Sequence, residues 1–139
     1  MSWIVHKFGG SSLADAEAFG RVGGLLRDRE GDEPAQAVVV SAMQGTTDAL
    51  IELALAASHD RGQWRDGLAT LRARHRVCAD ALGLSERSWG GIELSFRRLE
   101  HLFESFGLLG SVPVEAMDLV SALGEQWSAR LLAGRFEAG

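Results

Sequence analysis

The sequence has a single cysteine, Cys78, and no apolar run approaching the roughly 20 residues that a membrane-spanning helix requires. One cysteine excludes an internal disulfide and any zinc site built on cysteines, so Cys78 is expected to pack between helices. A basic excess is also missing: the formal net charge is −5. General nucleic-acid binders carry the opposite balance to neutralise phosphates, so any anion bound here must be met by local positive charge. His6, His59, His75 and His101 form no i, i+4 pair, and no metal site is expected from them. No basic segment followed by an apolar stretch and a small-residue cleavage site opens the chain. A cytoplasmic setting is therefore expected, with neither membrane nor nucleic acid as a partner. Internal repeats and low-complexity linkers are absent as well.

What is present suits one soluble globular domain: 139 residues, 46% hydrophobic and 24% charged. Residues 3 to 8, WIVHKF, and 36 to 42, QAVVVSA, read as two short buried strands. Between them Phe19, Val22, Leu25 and Leu26 recur at helical spacing, which predicts a β-α-β unit with parallel strands. Gly20, Gly23 and Gly24 in that helix are expected to allow close packing on the sheet.

Beyond the second strand the pattern turns helical. Leu50, Leu53 and Ala57 mark one helix, and Trp64, Leu68, Leu71, His75, Cys78 and Leu82 a second. Ile92, Phe96, Leu99, Leu102, Phe103 and Phe106 mark a third. Pro113 opens a fourth, along which Leu119, Leu123, Trp127 and Leu131 recur at i+4. Two parallel strands give too little sheet to stand alone, and parallel sheets are normally covered on both faces. The chain therefore reads as the front part of a larger, helix-rich α/β domain, cut before the next strand.

Three stretches carry chemistry. In KFGGSS a strand feeds a glycine turn and then a helix. Free backbone N–H groups, glycines without a Cβ and the charge of Lys7 together make a phosphate cradle. The stretch matches neither GxxxxGK[ST] nor GxGxxG. An equally available reading is a plain turn in which Ser12 caps the helix and Asp15 completes a capping box. The second stretch, VVVSAMQGTTDAL, puts Ser41, Gly45, Thr46 and Thr47 beyond the second strand's carboxyl end. Ligands of parallel sheets bind at that edge, so both turns are predicted to face one cleft, although Thr46 or Thr47 could simply start a helix. The third is ALGEQWSARLLAG, where Glu125 lies off the apolar stripe of a largely apolar helix and could be partly buried and in need of a partner, although a surface glutamate is the commoner reading of such a residue.

Taken together, KFGGSSLAD, VVVSAMQGTTDAL and GEQWSARLLAG resemble the aspartokinase branch of the amino acid kinase family, in order along the whole chain. The resemblance is greatest to bifunctional aspartokinase/homoserine dehydrogenases. It implies the N-terminal, amino-acid-binding part of an amino acid kinase fold over residues 1–139, with the nucleotide-binding half and any regulatory or dehydrogenase domains absent. It implies ATP-dependent phosphorylation of L-aspartate to 4-phospho-L-aspartate in the biosynthesis of lysine, threonine and methionine. The full-length enzyme would use ATP with Mg2+ and form a homo-oligomer; the fragment would bind no cofactor tightly and be inactive alone. Lys7 would bind the transferring phosphate as the catalytic residue, with Gly9, Gly10 and Ser11 beside it. Ser41, Thr47 and Glu125 would contact the amino acid. The chain departs from the pattern at Asp48, where many relatives have asparagine, and at Leu123, where histidine is common. Two other classes of function remain open on the sequence: a stand-alone amino-acid- or anion-binding module, and a structural fragment that assembles with itself through an exposed sheet edge and the apolar fourth helix.

Overall fold

The structure, a computed structural model, describes residues 2–29, 31, 34–59 and 62–139. Strand β1 (Trp3–Phe8) leads through a 3-10 turn (Gly10–Leu13) into α1 (Ala16–Arg27), and β2 (Ala35–Val40) follows. Four helices complete the chain: α2 (Thr46–Ser58), α3 (Trp64–Leu82), α4 (Glu86–Leu109) and α5 (Val114–Glu137). The strands pair in parallel from Trp3 opposite Ala35 to Phe8 opposite Val40, as the β-α-β pattern predicts. Residues 30, 32 and 33 of the polar segment ahead of β2 lie outside the described residues.

Burial of large apolar side chains, each contributing about 1.5–3 kcal/mol, is concentrated where the helices meet. The expected stripe of α3 is buried at all six positions, including Cys78. At the centre, Trp127 of α5 stacks on Phe96 of α4 with ring centroids 4.1 Å apart, and the His75 ring meets Trp127 edge-on at 5.0 Å. The Trp127 indole N–H donates to Ser95 Oγ, so the ring's one polar atom is satisfied. His75 Nδ1 donates to Leu71 O at 2.8 Å, which fixes the tautomer and leaves Nε2 buried without a partner.

The strands depart from the sequence expectation. Trp3, Val5 and Val39 are 59%, 65% and 49% exposed, so this sheet is not buried. Helices cover one side only: Phe8 and Val40 pack against the helical core, whereas the face carrying Trp3, Val5 and Lys7 is open. β2 also ends at Val40 rather than residue 42, although Ser41 N–H still donates to Phe8 O at 3.0 Å and extends the ladder by one bond.

Other expectations shift by a single helical position. Leu25 is exposed because α1 buries the face of Phe19, Val22, Gly23 and Leu26. Leu119 is exposed because α5 turns Val120, Leu123, Trp127 and Leu131 inward. Leu53 and Leu102 are half-buried at the rim of the core. The glycines of α1 do not serve the sheet: Gly20 and Gly24 face open space, and Gly23 faces the Arg135 side chain of α5.

Candidate functional site

Both strand-to-helix connections lie at the carboxyl ends of the paired strands. In the first, fully buried Leu13 anchors the 3-10 turn, and Ser12 N–H donates back to Gly9 O at 3.1 Å. The leading amides of the turn, at Gly10 and Ser11, have no acceptor within it and remain available to an anion. The cap of α1 is Asp15, whose Oδ1 accepts from Ala18 N–H at 2.8 Å. Ser12 is therefore not the cap. Because a carboxylate already occupies the N-terminus of α1, the 3-10 turn and not that helix offers the anion-binding amides.

In the second connection Gly45 adopts φ +81°, a left-handed conformation that favours glycine. This turn lets Thr46 N–H donate to Met43 O at 2.9 Å and starts α2 at Thr46. Buried Ala42 and Met43 hold the loop against the core. The two connections touch, since a Cβ placed on Gly10 would lie 3.4 Å from Ala42 O and 3.7 Å from Gln44 Cα.

Helix α5 supplies the third wall. A Cβ on Gly124 would come 2.7 Å from the Ala42 Cβ and 3.0 Å from the Thr46 Cγ2, so the absence of a side chain is what lets α5 approach this loop. The next residue, Glu125, then reaches the space between the walls. It is exposed rather than partly buried, because the core takes Gly124, Trp127 and Ser128 from this stretch and leaves Glu125 facing open space.

The resulting cleft has a volume of about 280 Å³. Gly10 lines it from the first turn, residues 41 to 45 from the second loop, Thr47 and Asp48 from the first turn of α2, and Glu125 from α5. Four of the expected site residues, Gly10, Ser41, Thr47 and Glu125, thus share one cleft, and the shared-edge expectation holds. Lys7, Gly9 and Ser11 are exposed and do not line it; Lys7, the only lysine in the chain, stands opposite Val39 on the open face of the sheet.

Two carboxylates, Asp48 and Glu125, give the cleft an acidic side suited to an ammonium group. The neutral donors and acceptors of Ser41, Gln44 and Thr47 complete its polar lining. Asp48, which departs from the asparagine common at this position, shares the wall because it follows Thr47 in the first turn of α2. A larger groove of about 510 Å³ runs between α4 and α5, lined by leucines together with Arg98 and Arg130. Leu123, Gln126 and Arg130 of the third motif stretch line it, but none of the expected site residues does. Among the described residues no cluster of three or more His, Cys, Asp or Glu side chains is arranged to hold a metal ion.

Residues 2–138 match the family model described as the amino acid kinase family. The chain belongs to the amino acid kinase family. Among its relatives, bifunctional aspartokinase/homoserine dehydrogenase 1, chloroplastic, of Arabidopsis thaliana is 30% identical over 135 residues, covering 95% of this chain and 15% of the relative. Bifunctional aspartokinase/homoserine dehydrogenase 2 of Escherichia coli (strain K12) is 35% identical over 132 residues, covering 93% of this chain and 15% of the relative. The solved structure of E. coli aspartokinase III in complex with aspartate and ADP superposes with a TM-score of 0.83 at 26% identity, covering 99% of this chain and 29% of that one. This amino acid kinase chain therefore spans 15% of each of the two relatives and 29% of the solved protein. The helix-rich α/β architecture with its two-stranded parallel sheet agrees with the fold expected from the motifs. No helix among the described residues is long and apolar enough to cross a membrane.

Proposed function

We propose that this chain is the amino-acid-binding part of an aspartokinase, phosphorylating the side-chain carboxylate of L-aspartate at the expense of ATP. The observation that carries this reading is the convergence of Gly10, Ser41, Thr47 and Glu125 on one cleft in a chain of this family. Relatives named as aspartokinases, one solved with aspartate and ADP, support it over a stand-alone binding module.

The chemistry suits the residue types. With a reference pKa near 3.9, the aspartate side chain is ionised at neutral pH, so a carboxylate oxygen attacks the γ-phosphorus without a general base while the bond to the departing ADP oxygen breaks. What obstructs this step is repulsion between two anions. Lys7 and the amides of Gly9, Gly10 and Ser11 supply positive charge and donors to the transferring phosphate. Glu125, with Asp48 beside it, pairs with the substrate ammonium, and Ser41 and Thr47 hydrogen-bond its carboxylates. Mg2+ arrives with the nucleotide and offsets phosphate charge.

On this reading the nucleotide contacts come from segments that the longer relatives have beyond the matched region, and the 139-residue chain alone is inactive. The open face carrying Trp3 and Val5 is where such segments would pack. Homo-oligomerisation and the cytoplasmic setting expected from the sequence belong to the same proposal; the Arabidopsis relative is named as chloroplastic.

The test is ADP formation by a polypeptide that joins this chain to the segments of its relatives. Strict dependence on L-aspartate supports the reading, and ADP formation indifferent to aspartate overturns it. Calorimetry of the isolated chain with aspartate, alone and with ATP and Mg2+, measures the binding cleft separately.

A further inference from the structure

One arginine outside the cleft ties together the two loops that form it. From α3, Arg74 Nη2 donates to Ala14 O at 2.9 Å and Nη1 donates to Gln44 O at 2.8 Å. Ala14 lies between the 3-10 turn and the Asp15 cap of α1, while Gln44 immediately precedes the left-handed Gly45. The acceptors are 60 and 30 residues away in sequence, so each contact exists only in the folded chain. Among the described residues this is the one side-chain hydrogen-bonded link between the loops. Its other ties are Ser41 N–H to Phe8 O at the sheet end and the packing of Gly10 against the second loop.

Neighbouring arginines on α3 serve a different purpose. Arg72 pairs with Glu93, and Arg76 pairs with Asp80 and Glu86. Arg74 has no carboxylate within ion-pair distance among the described residues, and its charge instead strengthens two hydrogen bonds to backbone carbonyls. The planar fork of a guanidinium presents separate nitrogens to two acceptors in fixed geometry, whereas an ammonium is a single point.

We propose that Arg74 is a positioning residue that fixes the separation of the phosphate turn and the substrate loop, so that the two move as one unit. The mechanical coupling stands on these contacts; its chemical consequence rests on the aspartokinase reading above. In that reading one loop holds the transferring phosphate and the other the attacking carboxylate. Reacting atoms must be brought to roughly 3–3.5 Å, and a misplacement of about 1 Å can cost on the order of 10²-fold in rate.

Hydrogen exchange on this chain tests the coupling. The amides to follow are Ser12 in the first turn and Thr46 in the second, each hydrogen-bonded within its own loop. In Arg74→Ala both should lose protection together, by about tenfold, as expected for losing hydrogen bonds from a charged donor. Arg74→Lys, which keeps the charge and the stem, should leave at most one loop protected, and serves alone if the alanine variant does not fold. Arg72→Lys, on the same helix, should change neither. Unchanged exchange in both loops of a folded Arg74 variant overturns the proposal, as does equal loosening in Arg72→Lys.

In the longer, active polypeptide, Arg74→Lys should lower kcat by roughly 10- to 100-fold with little change in the KM for aspartate. Added ethylguanidinium should restore part of the turnover of Arg74→Ala. A raised KM with intact kcat would contradict the positioning role. Loops that loosen together in a polypeptide without aspartate-dependent ADP formation would leave the coupling standing and remove the aspartokinase reading.

Discussion

Gly124 of α5 and Ala42 of the second loop meet without room for another side-chain atom: a Cβ on Gly124 would stand 2.7 Å from the Ala42 Cβ. The contact matters because the next residue, Glu125, is the only part of α5 to line the cleft. Gly124→Ala should favour the helix by up to about 1 kcal/mol in propensity but force α5 away from the loop, overpacking that costs about 1–3 kcal/mol. The expected outcome is a lower unfolding midpoint together with weaker aspartate binding, read by denaturant titration and calorimetry. Unaltered stability and affinity would mean that the helix can shift without moving Glu125.

The proposed division of labour separates turnover from substrate affinity in the longer polypeptide. Lys7→Ala should lower kcat by on the order of 10²-fold or more, because its charge acts on the transferring phosphate. Glu125→Gln should chiefly raise the KM for aspartate, since pairing with the ammonium exists before and during transfer. Thr47→Val should do the same more weakly, losing a neutral hydrogen bond worth about 0.5–1.5 kcal/mol. Steady-state kinetics with aspartate and ATP varied separately distinguishes these. Intact turnover in Lys7→Ala would remove its assigned role.

His75 makes stability depend on pH. Burial among Trp127, Phe96 and the α3 backbone lowers its pKa to about 4, against the raising effect of the Leu71 carbonyl and with a smaller lowering effect from the nearby Arg74 charge. Between pH 6.5 and about 4 the unfolded chain takes up a proton at this ring and the folded chain does not, so stability falls as pH falls through that window. The loss from this residue is at most about 3–4 kcal/mol, at about 1.4 kcal/mol per pKa unit. Urea unfolding across the window should show a shallower pH dependence for His75→Leu than for the parent; equal slopes would exclude His75 as the source.

The open sheet should make the isolated chain self-associate. Among the described residues its two strands present unpaired edges beside the exposed Trp3, Val5 and Val39, a combination that invites strand addition or face-to-face packing. Light scattering should report a mass that rises with concentration, and Val5→Lys with Val39→Lys should reduce it. A monomer of constant mass at all concentrations would count against association through this face.

Local chemistry and the secondary-structure elements were legible in the amino-acid order alone. The apolar spacing from Trp64 to Leu82 marked a buried helical face, because the 3.6-residue period brings those positions to one side whatever they pack on. The strand-turn-helix order likewise placed GGSS and SAMQGTT at the same edge, since parallel strands joined by a crossover have their carboxyl ends together. Tertiary structure decided what lies far apart in the chain. No local signal shows that Arg74 bonds to Ala14 and Gln44, or that Gly124 admits α5 to the loop. It also decided the exposure of the strands: apolar composition predicts burial, but a strand face is buried only when another layer packs over it, and here helices cover one side.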